Sequence, residues 1–355
     1  MARLDELFRL MKEQGCSDLH LSTNSRPFVR RHGAVEPVVK WQPLAEAELI
    51  ALLREIVSAK QWAEFERARD LDFAHGVEGV ARFRCNYFRD ESGPGAVMRI
   101  IPEKIIPLND LGLPPAVAKV ADFQSGLVVV TGPTGSGKST TLASIIDAIN
   151  QTYERHIVTI EDPVEFVHKP KRSVISHREV GSDTESFAAA LRAAIRQDAD
   201  VILVGEMRDL ETISLALTAA EMGVLVFGTL HTNSAGKTVD RIIDVFPPEQ
   251  QPQVRTALAE SLKAVIAQLL CRTADGKGRV AANEILFGSS GLSNIIREGN
   301  TSQINGYISS GRGAGMRLMD DALFDLASAG KIDPQDAFMK AKEKPRFERF
   351  VQGKA

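Results

Sequence analysis

The chain has 355 residues, enough for about two domains that each bury a core of their own. Its composition, 44% hydrophobic and 25% charged, is ordinary for a soluble globular protein, and the formal net charge of −3 argues against a general polyanion binder. The three cysteines, Cys16, Cys85 and Cys271, are far apart and predict neither a disulfide framework nor a zinc site. Charged residues among the first ten exclude a signal-peptide core, so the predicted compartment is the cytosol unless a partner holds the protein elsewhere.

The first hundred residues predict a small α/β domain, residues 1–101. Apolar residues recur at helical spacing in residues 4–14, and residues 44–69 are largely helical. Strands are predicted at residues 18–22, 28–31, 71–75, 81–88 and 96–101. Hairpin-like loops join the last three strands, so the sheet is expected to be mostly antiparallel. A proline-punctuated stretch, residues 102–115, is the predicted linker to a second domain, residues 116–355.

In the second domain strand and helix patterns alternate, as in a parallel sheet covered by helices. The predicted strands are residues 127–131, 156–160, 201–204 and 224–230. The predicted helices are residues 139–149, 187–195, 209–222 and one that begins at Asn233 or Ser234 and ends before Pro247. From about residue 289 to 355 the pattern is helical, over residues 291–297, 302–309, 318–328 and 333–340.

A glycine-rich loop between the first strand and helix of this domain fits G-x-x-x-x-G-K-[ST] at every fixed position. Its glycines let backbone N–H groups turn toward a polyanion, and the helix aims its positive N-terminus at the same point. Lys138 is expected to reach the β- and γ-phosphates of ATP, and the Ser139 hydroxyl to bind Mg²⁺. The predicted nucleotide-binding residues are Gly132, Pro133, Thr134, Gly135, Ser136, Gly137, Lys138, Ser139 and Thr140.

Three polar groups directly follow predicted strands, where an open parallel sheet gathers its ligands. They are Glu161, Glu206 and His231. A phosphate-loop enzyme needs an acidic strand end to hold Mg²⁺ or to orient the attacking water. Because Gly205 occupies the usual Asp position, Glu206 is expected to hold Mg²⁺ partly through water. Glu161 is then the better candidate for orienting water, and His231 for sensing the γ-phosphate.

Arginines are the remaining catalytic candidates. An arginine finger, often supplied by a neighbouring subunit, stabilises the negative charge on the phosphate that is transferred. Arg82, Arg84 and Arg99 lie on the predicted hairpins of the first domain. Arg192 and Arg196 lie four residues apart on a predicted helix of the second. A solvated charged face is the alternative for each of them.

Four ordered motifs resemble the Walker A, Asp-box, Walker B and His-box of the secretion ATPase superfamily: GPTGSGKST, VTIEDPVEF, VILVGEMRD and GTLHTN. Within it the chain is most similar to the PilT-type retraction motors of type IV pili. The resemblance extends to three further stretches, SDLHLS, RFRCNYFR with VMRIIP, and GMRLMDDALFDLASAGKI. It departs in two places: residues 291–298 read GLSNIIRE where the family usually resembles AIRNLIRE, and residues 196–200 read RQDAD where it has RQDPD.

The resemblance implies an α/β fold in which a PAS-like N-terminal domain precedes a RecA-like ATPase domain with C-terminal helices. It implies a homo-hexameric ring that uses ATP and Mg²⁺ to power pilus retraction and twitching motility. Glu161, Glu206 and His231 match the family's catalytic positions, and Arg82 or Arg84, with Arg99, resemble the arginines that reach nucleotide from the first domain. Its implied partners are an inner-membrane pilus platform protein, which holds the motor at the membrane, and in some systems a second retraction ATPase.

Three alternatives stay open at this stage. A sister motor for pilus extension or type II secretion needs the same core, but those relatives generally carry longer N-terminal regions and a four-cysteine zinc motif. A RecA-like nucleic-acid translocase would want a basic channel with stacking aromatics, and the chain has only two Trp and three Tyr. A non-hydrolysing ATP-gated module would not need both acidic strand ends. The leading prediction is therefore a retraction motor without nucleic-acid or zinc binding.

Overall fold

The computed structural model describes residues 3–31, 34–101 and 104–351. Pro102 and Glu103 of the predicted linker, and residues 352–355 of the predicted C-terminal segment, lie outside this range. The chain forms two compact units. The first comprises residues 1–104 together with 162–167, and the second comprises residues 105–161 and 168–355. The described part of the predicted linker contains a short 3₁₀ helix, Leu108–Leu111.

In its described residues, the first unit is a six-stranded antiparallel sheet with three helices. Its strands pair in the order β3-β2-β1-β6-β5-β4. They are β1 (Asp18–Ser22), β2 (Phe28–Arg31), β3 (Ala34–Pro37), β4 (Asp70–Val77), β5 (Ala81–Asp90) and β6 (Gly93–Ile101). The helices are α1 (Leu4–Glu13), α2 (Glu46–Arg54) and α3 (Ala59–Ala68). The predicted antiparallel sheet is confirmed, with β3 as an additional edge strand that the sequence pattern did not indicate.

One face of this sheet forms the core of the first unit. Phe83 of β5 is fully buried and stacks on Phe8 of α1 with ring centroids 4.1 Å apart. Tyr87, also buried, donates its hydroxyl to the carbonyl of Leu53 in α2 at 2.9 Å. The helical stretch predicted at residues 44–69 is interrupted because Ser58 begins α3 with a reciprocal capping box.

The second unit is built on a seven-stranded sheet in the order β13-β12-β7-β11-β10-β8-β9. Its strands are β7 (Gly126–Thr131), β8 (His156–Glu161), β9 (Val174–Glu179), β10 (Val201–Val204), β11 (Leu225–Leu230), β12 (Leu262–Arg272) and β13 (Arg279–Phe287). Every neighbouring pair is parallel except the β12–β13 hairpin. Leu127 and Val129 of β7 face one hydrophobic core, while Val128 and Val130 face another, so this sheet is buried on both sides.

Eleven α-helices lie in the described part of the second unit. They are α4 (Pro115–Ala118), α5 (Lys138–Thr152), α6 (Phe187–Ile195), α7 (Leu210–Glu221), α8 (Ala235–Asp244), α9 (Gln251–Ser261), α10 (Ser290–Arg297), α11 (Ile304–Ser310), α12 (Met319–Ser328), α13 (Pro334–Lys340) and α14 (Lys344–Val351). Asp209, Ser234 and Asp333 are the N-caps of α7, α8 and α13, at the predicted starts of these helices, and each accepts a backbone N–H of the following turn. Across residues 3–31, 34–101 and 104–351, no helix is long and apolar enough to cross a bilayer.

Candidate active site

The predicted phosphate loop connects β7 to α5, which begins at Lys138. Gly132, Gly135 and Gly137 all have positive φ, the backbone region that glycine adopts most readily. The Lys138 Nζ atom lies back over the loop, 2.9 Å from the Gly132 carbonyl oxygen. The Ser136 hydroxyl is buried and has no hydrogen-bond partner among the described residues. This is a turned-in loop with a cation and a free hydroxyl, which suits a phosphate chain.

Gln268 of β12 supports this loop and was missed by the sequence analysis. Its side chain is buried, and its Nε2 donates to the Ser136 carbonyl oxygen at 2.7 Å. Its Oε1 accepts the Thr141 hydroxyl at 2.9 Å and Asn283 Nδ2 at 3.0 Å. A Cβ on Gly132 would lie 2.2 Å from the Gln268 carbonyl oxygen, so this close approach requires glycine. The amide of Gln268 thus ties the loop, α5 and β13 together.

The two acidic residues and the histidine all lie at the carboxyl edge of neighbouring parallel strands. Glu161 ends β8 and is 9% exposed, Glu206 follows β10, and His231 follows β11. β11 is hydrogen-bonded to β7, which carries the phosphate loop, and β10 lies between β11 and β8. The sheet therefore brings the loop and these three side chains to one edge, as expected for the carboxyl ends of parallel strands.

Glu206 contacts both the histidine of this group and a neighbouring arginine. Its Oε1 lies 2.9 Å from His231 Nε2 and also accepts a hydrogen bond from Arg208 Nε. Burial alone would raise the pKa of Glu206, but the Arg208 hydrogen bond and charge, together with His231, hold that pKa below its ordinary value. Glu206 therefore remains a carboxylate at neutral pH, the form that a metal or its bound waters require.

Threonine hydroxyls join the residues that follow His231 to β7, the strand that precedes the phosphate loop. Thr131 at the end of β7 donates to the Thr232 carbonyl oxygen at 2.7 Å. The Thr232 and Thr238 hydroxyls are 2.7 Å apart. The next turn is held by Glu284 of β13, which accepts the Ala235 N–H at 2.7 Å. The backbone around His231 is thus fixed relative to the loop by buried polar contacts.

The three candidate arginines of the first unit share one face of its sheet. Arg82 and Arg84 alternate with the buried Phe83 on β5, and Arg84 lies directly opposite Arg99 in the β5–β6 register. Arg99 Nε is 2.7 Å from Asp18 Oδ1, while 70% of its side chain is exposed. This contact leaves most of the Arg99 guanidinium accessible to a ligand.

The alternative pair on α6 has a different environment. Arg192 forms an ion pair with Glu211 of α7, which gives it a structural role between two helices. Arg196 lies just beyond the last residue of α6, as its C-cap. Neither residue lies at the strand ends that carry Glu161, Glu206 and His231. Arg192 is 46% exposed beside Glu211 and Arg99 is 70% exposed beside Asp18, so Arg99 is the more accessible of these two ion-paired arginines.

The oxygen atoms near the loop suit Mg²⁺. The half-buried Ser139 lies in the first turn of α5 and supplies a hydroxyl, and Glu206 supplies a carboxylate. In the described ranges, no three His, Cys, Asp or Glu side chains converge as a metal site. Mg²⁺ at a nucleotide needs no such cluster, because phosphates and waters complete its coordination. The residues present therefore fit the metal that the phosphate-loop chemistry calls for.

An α/β unit with a phosphate loop, an adjacent histidine and two acidic strand ends defines a P-loop nucleotide-binding protein. Residues 3–321 match the model of the family described as "Type II/IV secretion system protein". The chain belongs to this family.

Two curated relatives and one solved structure are matched over most of their length. It is 49% identical over 344 residues to the type IV pilus retraction ATPase PilT of Pseudomonas aeruginosa, covering 97% of this chain and 99% of that one. It is also 49% identical over 315 residues to a twitching motility protein of Neisseria gonorrhoeae, covering 89% and 84%. A crystal structure of the pilus retraction motor PilT with bound ADP superposes with a TM-score of 0.89 at 44% identity, covering 97% of this chain and 98% of that one.

These matches confirm three predictions. The chain belongs to the secretion ATPase superfamily, its fold class is α/β, and it is an ATPase related to pilus retraction motors. They also support nucleotide binding, since the solved relative holds ADP. The individual roles of the site residues remain predictions.

Proposed function

We propose that this chain is the ATP-hydrolysing subunit of a ring motor that retracts type IV pili and thereby powers twitching motility. The observation that carries the proposal is the meeting of the phosphate loop, Glu161, Glu206 and His231 at one sheet edge. Near-full-length identity of 49% to a pilus retraction ATPase supports the direction of the motor.

Each residue of the site has a distinct task in this account. The backbone N–H groups from Gly132 to Thr140, the start of α5 and Lys138 bind the phosphates and neutralise charge that develops on them. Ser139 and Glu206 would hold Mg²⁺, Glu206 partly through water, and the ion would supply further positive charge to the phosphates. Glu161 orients the attacking water.

His231 is positioned to report the state of the γ-phosphate. Its Nε2 already contacts Glu206 at 2.9 Å, so a phosphate oxygen that hydrogen-bonds to this imidazole would change the Glu206 contact as well. A change at His231 on hydrolysis would then move the backbone at residues 231–232, which the Thr131–Thr232 contact joins to β7. In this account, ATP hydrolysis is coupled to backbone movement through His231.

The motor is proposed to act as a homo-hexamer with nucleotide between neighbouring subunits. The accessible guanidinium of Arg99, with Arg84 beside it in the register, supports a finger delivered from the first unit. The chain would act in the cytoplasm, held at the inner membrane by the pilus platform protein, and could work beside a second retraction ATPase. The exposed Asn294 and Arg297 of α10, within the half of that segment that matches the retraction family, support the platform contact.

ATP hydrolysis tests the chemistry directly. Lys138→Ala removes charge from the phosphate site and should reduce turnover at least a hundredfold. Glu161→Gln and Glu206→Gln keep the shape of each side chain, so they should fold and bind ATP but hydrolyse it far more slowly. Arg241→Ala, an exposed cation on α8, serves as a control with unchanged turnover. Unaltered ATP hydrolysis in Lys138→Ala would refute the assignment of this loop as the site of hydrolysis.

A further inference from the structure

The stretch SDLHLS, residues 17–22, places a buried carboxylate on the face of the first unit's sheet that lies opposite its hydrophobic core. In β1, Leu19 and Leu21 are fully buried in that core. Because side chains alternate along a strand, Asp18 lies on the other face, and it is nevertheless only 3% exposed. A carboxylate that is buried outside the hydrophobic core must be held there by polar partners.

Three groups hold the carboxylate of Asp18. The Ser17 hydroxyl donates to its Oδ2 at 2.7 Å, and Arg99 Nε donates to its Oδ1 at 2.7 Å. Arg30 Nε lies 3.7 Å from Oδ2. In the strand register Asp18 is directly opposite Arg30 of β2 and Arg99 of β6, so the two arginines flank it on the same face.

These partners also fix the charge of Asp18. Burial alone would raise its pKa, but the hydrogen bonds from Ser17 and Arg99, together with the Arg99 charge, hold the pKa of Asp18 below its ordinary value. Asp18 is therefore a carboxylate at neutral pH, and it attracts the guanidinium of Arg99 as a charge as well as through the hydrogen bond.

Arg99 is held at one nitrogen only. Among the described residues, the bond to Asp18 is the single hydrogen bond of the Arg99 side chain, which stays 70% exposed. The edge of a guanidinium that carries its two Nη atoms matches two oxygens of a phosphate. A contact through Nε restricts the side chain and leaves this edge available to a ligand.

Arg84 lacks such an anchor. It is directly opposite Arg99 in the β5–β6 register and is exposed, but it forms no ion pair with any described residue. Two cations at opposite positions of neighbouring strands repel each other, so a counter-charge is needed to keep either of them in place. Asp18 supplies that charge to Arg99 and not to Arg84.

We infer that Asp18 is a positioning residue for Arg99: it holds the guanidinium by Nε so that the two Nη groups face the γ-phosphate bound by a neighbouring subunit. The inference rests on the proposed function, in which an arginine of the first unit reaches that phosphate. It assigns the role of the positioned finger to Arg99, and it explains the carboxylate in SDLHLS by its action on another residue.

Steady-state ATPase rates of the full-length chain test this through double-variant cycles. Asp18→Asn keeps the shape of the side chain but removes its charge. It should lower kcat at least fivefold and change KM for ATP less than twofold, because the finger acts on charge that develops in the transition state. In an Arg99→Ala background the same substitution should change kcat less than twofold, whereas in an Arg84→Ala background it should keep its full effect.

Glu55→Gln is the matched control. Glu55 accepts Arg3 Nε at 3.1 Å elsewhere in the first unit, so this variant removes the same kind of ion pair away from the arginine face and should leave kcat unchanged. A carboxylate that only stabilised the fold would lower kcat equally with and without Arg99.

A second variant keeps the test decisive if Asp18→Asn does not fold. Ser17 is exposed, and Ser17→Ala removes only the hydroxyl that donates to Asp18, so kcat should fall two- to threefold, and only where Arg99 is present. Equal losses in the wild-type and Arg99→Ala backgrounds, or unchanged kcat in every folded variant of Asp18 and Ser17, would overturn the inference. An Arg99→Ala chain as active as the wild type would instead refute the arginine finger of the proposed function.

Discussion

Gln268 offers the sharpest test of how the fold positions the phosphate loop. Its buried amide makes three hydrogen bonds, to the Ser136 carbonyl, the Thr141 hydroxyl and the Asn283 amide, at 2.7 to 3.0 Å. Gln268→Leu keeps a side chain of similar size but removes all three. Each buried group left without a partner costs about 1–3 kcal/mol, so after partial rearrangement we expect a loss of about 3–5 kcal/mol in unfolding free energy.

The same substitution should weaken nucleotide binding. Without the Ser136 contact the loop must be ordered by the ligand, which we expect to lower ADP affinity about tenfold, equivalent to about 1.4 kcal/mol. Thr141→Val removes a single contact and should cost about 1 kcal/mol. Because Thr141 contacts Gln268 directly, the effects of the double variant should not add.

Urea unfolding and ADP titration measure the two effects. Gln251→Leu on α9 is the control, because Gln251 is half-buried and its Nε2 makes one hydrogen bond, to the Phe246 carbonyl at 3.1 Å. A Gln268→Leu protein within 1 kcal/mol of wild type, with unchanged ADP affinity, would refute the role assigned to this residue.

Three further predictions concern charge. Arg208→Ala should raise the pKa of Glu206, so the acid limb of the kcat profile should move to higher pH; an unmoved limb would contradict this. Burial lowers the pKa of His168 from 6.5 to about 4, so up to about 3 kcal/mol of stability, present above pH 6.5, should be lost as the pH falls toward 4, and His168→Gln should flatten that dependence in acid unfolding curves. If neighbouring subunits share a site, mixing Arg99→Ala with Lys138→Ala should restore part of the ATPase rate, whereas a mixture no more active than its parts would argue against sharing.

The phosphate loop and the strand-end residues could be predicted because their signals are local. Glycine spacing, the apolar run of β7 and the start of α5 are contiguous in sequence, and parallel strands bring their carboxyl ends to one edge by rule. We could therefore identify Glu161, Glu206 and His231 as site residues from their positions directly after predicted strands.

The support of the loop could not be predicted, because it is non-local. Gln268 reaches Ser136 across 132 residues, and a single glutamine in an apolar strand gives no signal. Its strand, β12, follows α9 without a glycine or proline to separate them, so it was missed. β9 was missed because it is an edge strand whose six residues are all at least partly exposed, without an apolar face.

The contact between Arg99 and Asp18 could not be predicted from the sequence pattern either. Asp18 and Arg99 are 81 residues apart and meet only because β1 pairs with β6. The sequence identified Arg99 as a candidate but gave no sign of the carboxylate that holds it.

The central claim is that this motor retracts pili, and pilus counts in a deletion strain test it most directly. Deleting the gene should leave normal or excess surface pili but no pilus-powered motility. The wild-type gene should restore motility, and the Lys138→Ala gene should not, because retraction depends on hydrolysis at the phosphate loop. A deletion strain without pili, which regained them with the wild-type gene, would contradict the account and identify an extension motor.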